Sequence, residues 1–177
     1  MTEHNKQTRR DFLSLTTSSM AVLGSGAAVI SFIASLAPSA EVRALSQIEV
    51  NVAEIEPGQA ITVKWQGLPV FIRRRTAKEI AEAEAVDLST LRDPQSDAER
   101  TLENHQEWLV MLGVCTHLGC PPKGQTPTEV KGDYNGWYCP CHGSHYDISG
   151  RIRKGPAPTN LEVPKYEFVN DTLIKIG

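Results

Sequence analysis

The four cysteines of this 177-residue chain all lie between positions 115 and 141. They form two short boxes, Cys115-Thr116-His117-Leu118-Gly119-Cys120 and Cys139-Pro140-Cys141-His142-Gly143-Ser144, and each box holds one histidine. Thiols and imidazoles gathered this way point to metal chemistry before they point to a disulfide framework. No other feature limits the fold as tightly, because two loops well apart in sequence must meet around one centre.

Six side chains could act as ligands, and four suffice for a [2Fe–2S] cluster in which one iron takes two thiolates and the other two imidazoles. The spacings Cys-x-His and Cys-x-x-His let each loop give one thiolate and one imidazole. Cys115 and Cys139 then bind the inner iron, and His117 and His142 the outer. Cys120 and Cys141 remain, and outside the cytoplasm they should pair as a disulfide that clamps the loops together. Three rival readings use the same residues. A structural zinc site leaves the symmetry of the boxes unexplained. Two plain disulfides would involve Cys139 and Cys141, which are awkwardly close, and a thiol redox motif lacks its Cys-x-x-Cys. His105 and His145 fall off the ligand spacing, and His145 reads as a solvated loop residue. His4 precedes the apolar stretch and carries no assignment.

The redox compartment follows from the N-terminus. Arg9 and Arg10 stand just before Asp11-Phe12-Leu13, and residues 12–37 carry no charge. The pattern resembles a twin-arginine export signal, the route of proteins that fold before crossing a membrane. At about 1.5 Å per residue the uncharged stretch can span a hydrocarbon core roughly 30 Å thick. Lys6, Arg9 and Arg10 precede it and only Arg43 follows closely, so the positive-inside rule keeps the N-terminus cytoplasmic and sends the remainder outward. Pro38 directly after Ala37 disfavours cleavage there, which favours a retained anchor over cleavage at the two other candidate sites, Ala37-Pro38-Ser39 and Val42-Arg43-Ala44.

The domains expected are a cytoplasmic N-terminus over 1–11, a transmembrane anchor over 12–37, a flexible tether over 38–47 and an exported domain over 48–177. The cluster-binding part of that last domain covers about 112–158. Alternating runs at 48–52 and 61–65, apolar runs at 68–72 and 108–114, and short runs at 136–138, 166–169 and 173–176 predict strands. The run at 108–114 is continuous enough for burial on both faces. Thr76 with Glu79 three residues on predicts a capped helix. A charged loop follows over 87–107, so this helix and loop form an insertion into a small antiparallel β domain. Arg73-Arg74-Arg75 reads as a solvated strand end. Eighteen basic residues against 21 acidic ones give a net charge of −3, which argues against nucleic-acid binding.

The boxes, continued through His145-Tyr146-Asp147, resemble those of the Rieske subunit of the cytochrome bc complex, the ubiquinol–cytochrome c reductase. Leu91-Arg92-Asp93-Pro94-Gln95 resembles the inserted segment of its mitochondrial and proteobacterial members. Gly155-Pro156-Ala157-Pro158 resembles the family's proline loop, and Asn160-Leu161-Glu162-Val163-Pro164 the strand after it. The resemblance covers nearly the whole chain and implies a mostly β protein. An N-terminal transmembrane helix would be followed by a small antiparallel β-sandwich with an inserted helix-loop and a cluster-binding subdomain. It implies one [2Fe–2S] cluster and electron transfer from quinol to a c-type cytochrome. The catalytic groups would be His142, which contacts the quinol, and His117, which shares its exposure, with Leu118 packing at the quinol site. Ser144 would donate a hydrogen bond to a bridging sulfide and Tyr146 one to the Cys139 thiolate. The implied partners are a cytochrome b subunit with the quinol site, a c-type cytochrome subunit and membrane lipid, in a dimeric complex. The location would be a bacterial inner membrane with the domain in the periplasm. The runner-up reading is the Rieske subunit of an exported molybdenum oxidase of the arsenite oxidase type. Residues 121–135 depart from the pattern in length, and Asn135 stands where a glycine is common.

Overall fold

A computed structural model describes residues 8–39, 42 and 46–177. Residues 1–7, with His4 and Lys6, and residues 40, 41 and 43–45, with Arg43 and the middle of the expected tether, lie outside the described residues.

The first of two compact units, residues 1–43, contains helix α1, Arg9–Ser35. Its 27 residues are long and apolar enough to cross a membrane. The start is written locally: Thr8 Oγ1 accepts from the Asp11 amide at 3.3 Å, and Asp11 Oδ2 accepts from the Thr8 amide at 2.9 Å. That reciprocal cap satisfies two amides which an open helix end leaves unpaired. Arg9 and Arg10 therefore form the first turn of the helix rather than a leader in front of it.

The second unit, residues 44–177, is built from three antiparallel three-stranded sheets. Its strands are β1 Ile48–Asn51, β2 Ala60–Trp65, β3 Leu68–Arg74, β4 Trp108–Leu112, β5 Asn135–Cys139, β6 Ser144–Asp147, β7 Ile152–Lys154, β8 Tyr166–Asn170 and β9 Leu173–Ile176. Helix α2, Ala77–Glu84, sits between β3 and β4 behind the expected Thr76–Glu79 capping box. The sheet orders are β1-β9-β8, β2-β3-β4 and β5-β6-β7.

The middle sheet carries the architecture. Successive side chains of a strand point to opposite faces, and both faces of β3 and β4 are covered. Val70, Ile72, Trp108, Val110 and Leu112 join Val50, Ile174 and Ile176 in one core. Phe71, Leu109 and Met111 join Trp137, Tyr146, Ile152 and Leu161 in the other, which also contains Cys115 and Cys139. Hence all five residues of β4 are buried, as the unbroken apolar run predicted. The second core ties the metal loops to the body of the protein.

Two expectations are corrected here. The basic triplet is not a solvated strand end. Arg73 pairs with Glu79, Arg74 lies 5.3 Å from the Trp108 ring centroid, and Arg75 is 2% exposed. Arg75 meets Asp97 through two parallel bonds of 2.6 and 2.9 Å and donates to the Gln106 carbonyl at 2.5 Å. Nor is 87–107 a merely charged loop: it includes two short 3-10 turns, Leu88–Thr90 and Ala98–Arg100. Arg100 reaches across to the carbonyls of Ser149 and Leu161, both at 2.6 Å, and Asp97 accepts from Ser149 Oγ. Burial lowers the Arg100 guanidinium to about 10, which still leaves it charged at neutral pH. The insertion thus staples the middle sheet to the cluster-binding sheet. Breaking one member of such a buried pair costs about 3–5 kcal/mol, because the other charge is left without a partner.

Candidate metal centre

The first box leaves β4 and the second joins β5 to β6, so both loops spring from strands rooted in the same core. Each loop closes on itself in the same way. The Gly119 amide donates to the Cys115 carbonyl at 2.9 Å, and the Gly143 amide to the Cys139 carbonyl at 3.0 Å. Both glycines take positive φ, 80° and 74°, which a residue with a Cβ adopts only at a cost.

The boxes divide their sulfurs as expected. Cys120 and Cys141 form a disulfide with 6.7 Å between their Cα atoms, while Cys115 and Cys139 are free and buried. All three of Cys120, Cys139 and Cys141 place their sulfurs within 4.8 Å of one another. Two of those sulfurs are spent on the disulfide, so Cys139 alone of the three keeps a thiol. His117 and His142 meet at the loop tips with their Nδ1 atoms 3.3 Å apart and their rings edge to face at 4.7 Å. Buried thiols below and two converging Nδ1 atoms above make a donor set that fits a two-iron cluster with one iron of each kind. A Cys2His2 set would also suit Zn²⁺, so the donor types alone do not separate the two.

The surroundings of the thiols are asymmetric. Tyr146, wholly buried on β6, sets its hydroxyl 3.2 Å from Cys115 Sγ. This corrects the expected partner, Cys139. Burial, and then the bond to Cys115, push the Tyr146 phenol well above its ordinary value, so it keeps its proton and donates. Burial pushes the Cys115 thiol up, but bonds with Tyr146, the His117 amide, Cys139 and Ser144 outweigh it and leave the thiol below its ordinary value. Burial raises the Cys139 thiol too, and there the raising effects win. Ser144 and Tyr146 share a strand face two residues apart, which brings both hydroxyls to the sulfur side.

The segment 155–158, expected as the proline loop, lies against the second box at Gly143 and Ser144. Ala157 is fully buried and its amide donates to Ser144 Oγ at 3.2 Å. Leu118 stands out beside the histidines, 69% exposed.

His145 is not a solvated loop residue. It lies on β6, its ring centroid is 4.8 Å from that of Tyr138, and its Nδ1 accepts from the Asp133 amide at 3.0 Å. His105, not assigned as a ligand, stacks on Phe168 with ring centroids 3.8 Å apart.

Several residues escaped the sequence reading. Thr116 Oγ1 donates to the Thr159 carbonyl at 2.7 Å and so pins the first loop to the segment after the proline loop. Gln125 is buried and bridges two sheets, donating to the Ile61 carbonyl at 2.7 Å and accepting from Trp137 Nε1 at 3.1 Å. The long segment 121–135 is therefore organised rather than loose. The Glu129 carboxylate gathers the amides of Gly124, Gln125 and Thr126, and Lys123 pairs its backbone with Tyr138. Asn135 takes φ 60°, the left-handed conformation that asparagine tolerates better than most residues.

Two family models match the chain. One, described as the Ubiquitinol-cytochrome C reductase Fe-S subunit TAT signal, covers residues 1–39, and the other, the Rieske [2Fe-2S] domain, covers residues 47–167. The ubiquinol-cytochrome c reductase iron-sulfur subunit of Rhodospirillum rubrum is 54% identical over 176 residues, spanning 99% of this chain and 95% of that protein. The mitochondrial cytochrome b-c1 complex subunit Rieske of Candida albicans is 53% identical over 174 residues, 97% of this chain and 78% of that protein. A chain of the solved structure titled "Hyperthermophilic respiratory Complex III" aligns with a TM-score of 0.50 at 24% identity. It covers 90% of this chain and 98% of that one, a likeness of fold.

Proposed function

The chain belongs to the family of Rieske iron–sulfur subunits of ubiquinol–cytochrome c reductase, and on that premise we propose which residues carry the electron transfer. Its cofactor is one [2Fe–2S] cluster, and it is the electron-transfer subunit of that reductase. Identity across nearly the full length of such subunits leaves the molybdenum-oxidase reading without support.

Cys115 and Cys139 would hold one iron, and His117 and His142 the other through Nδ1. The bound cluster would supply one-electron redox chemistry, at a potential that neutral imidazole ligands raise into a range of about −150 to +300 mV. The chain's own residues do the remainder. Tyr146 and Ser144 donate hydrogen bonds on the sulfur side, which favours the more negative, reduced state. With Nδ1 turned inward, Nε2 of each histidine is left for the outside. His142, the more exposed of the two, accepts a hydrogen bond from a quinol hydroxyl there and takes its proton as the electron moves. His117 shares that exposed edge, and Leu118 supplies apolar contact to the quinol and the wall of its site. The disulfide Cys120–Cys141 and the loop Gly155, Pro156, Ala157, Pro158 keep water from the sulfurs.

The partners are a cytochrome b subunit carrying the quinol site and a c-type cytochrome subunit, within a dimeric complex in membrane lipid. Arg9 and Arg10 mark the export signal, α1 remains as a single-pass anchor in a bacterial inner membrane, and the Rieske domain lies in the periplasm. Movement of that domain between the two partners completes the transfer. The observation that carries this reading is the convergence of two buried free thiols with two histidines at the loop tips, beside an exposed leucine.

The test is a redox titration of the membrane-bound protein across pH, followed by electron paramagnetic resonance. The midpoint should fall as pH rises, since oxidation then releases a proton with the electron. A potential independent of pH would sink the proton-coupled role of the histidines.

A further inference from the structure

The proline loop has no strand of its own and lies directly on the second ligand loop. A Cβ at Gly155 would stand 2.4 Å from the Gly143 carbonyl oxygen and 2.6 Å from Ser144 Cα. Pro156 and Pro158 have no amide proton, so only Gly155 and Ala157 can donate from the loop backbone. The Ala157 amide goes to Ser144 Oγ. The loop's carbonyls go elsewhere: those of Gly155 and Ala157 both accept from Arg92 Nη1, at 2.7 and 2.5 Å. Arg92 comes from the inserted segment, more than sixty residues away in sequence. The next residue holds the segment just after the loop. Asp93 accepts from the Asn160 amide at 2.9 Å and, through its carbonyl, from Asn160 Nδ2 at 3.0 Å.

We propose that Arg92 is a positioning residue that sets the redox potential of the site, through a relay from its guanidinium to the Ala157 carbonyl, from the Ala157 amide to Ser144 Oγ, and from the Ser144 hydroxyl to the sulfur side. The inference rests on the reading that Ser144 tunes the cluster. A hydroxyl has one proton and two lone pairs. While the Ala157 amide occupies a lone pair, the Ser144 proton is directed away from the loop and toward the sulfur side, where buried Ser144 stands opposite Cys139 in the β5–β6 pair. If Arg92 released the two carbonyls, Ala157 would shift and Ser144 would be free to turn its proton to a loop carbonyl. Arg92 is on the exposed side of the loop, so water competes for its bonds and the effect is modest.

The experiment is a redox titration, read by electron paramagnetic resonance, of the full-chain holoprotein in its membrane. It compares R92Q, R92K, S144A and the double variant R92Q/S144A with the parent. R92Q should weaken the electron affinity about threefold with the cluster retained, which is about 30 mV at 59 mV per tenfold for one electron. S144A should weaken it more, and the double variant no further than S144A. A parental potential in R92Q beside a lowered one in S144A overturns the inference and leaves the role of Ser144 standing. An unchanged S144A overturns that role and the relay with it. Additive shifts in the double variant overturn the relay, since they would mean that the charge of Arg92 acts directly. Should R92Q assemble no cluster, R92K decides. It keeps the charge but loses the planar fork between the two carbonyls, so a lowered potential supports the relay and a parental one overturns it.

Discussion

The two ligand loops share one backbone turn and fill it differently. In both, the amide of a left-handed glycine bonds back to the carbonyl of a cysteine four residues earlier. Counting from that cysteine, the first loop has its histidine at the second following position and its disulfide cysteine at the fifth. The second loop has its disulfide cysteine at the second and its histidine at the third. At the second position the histidine of the first loop is exchanged for the disulfide cysteine of the second. The turn therefore does not by itself place the imidazole: because the loops face each other, different slots of one turn reach a common centre. The exchange also leaves room for an exposed Leu118 at the third position of the first loop, where the second carries His142.

The largest effect expected from breaking this pairing is loss of the cluster. Cys115→Ser and Cys139→Ser should each abolish the reduced-state electron paramagnetic resonance signal, however different the surroundings of the two thiols. A retained signal in either would mean that the sulfur ligands are wrongly assigned. Cutting the brace comes next. Cys120→Ser or Cys141→Ser opens a link across a sequence separation of 21, which in the chain-entropy picture contributes about 3 kcal/mol. Thermal unfolding of the holoprotein should register that loss, with the two single variants alike.

The shared turn is tested by Gly119→Ala and Gly143→Ala. Each site has open space around the added Cβ, so only the left-handed backbone resists, at about 1–2 kcal/mol. Equal destabilisation in denaturant melts would uphold the equivalence of the loops; a cost at one site alone would break it. Tyr146→Phe sharpens the asymmetry. Removing a hydrogen bond worth about 1 kcal/mol should lower the midpoint potential with the cluster intact, and the disturbance should fall on the Cys115 side. The smallest effect concerns pH. Burial raises the Glu129 carboxyl, but the amides of Gly124, Thr126 and Gln125, and then Lys123, outweigh it and hold it below its ordinary value of 4.5. A depressed folded value means that Glu129 stabilises above pH 4.5 and loses this contribution as pH falls through the folded value. In Glu129→Gln, acid melts should depend less steeply on pH in that window.

The pairing of the sulfurs was legible in the boxes, because spacing is a local property of a loop and thiol chemistry leaves few alternatives. The strands were legible where alternation or an unbroken apolar run was long enough, as in β2 and β4. They were missed in β6 and β7, where Ser144–Asp147 and Ile152–Lys154 offer only three or four residues of mixed polarity. The basic triplet was misread for a related reason. A run of arginines looks solvated until its partners are known, and Glu79, Asp97 and the Gln106 carbonyl lie up to 31 residues further along the chain. The partner of Tyr146 was misassigned because Cys115 and Cys139 are equivalent in the boxes and differ only in what β6 brings near them.

The sequence of the boxes by itself picked out two thiols and two histidines as candidate ligands and left the two sulfurs that pair as the brace, since these depend on residue type and spacing over a few positions. Tertiary structure decided what surrounds them. It put the Tyr146 hydroxyl on Cys115, buried Arg75 and Arg100 as staples, and placed Arg92 over the proline loop. Each of these is a contact between segments distant in sequence, created when β3 and β4 bury both their faces, and no local pattern encodes which distant partner will be there.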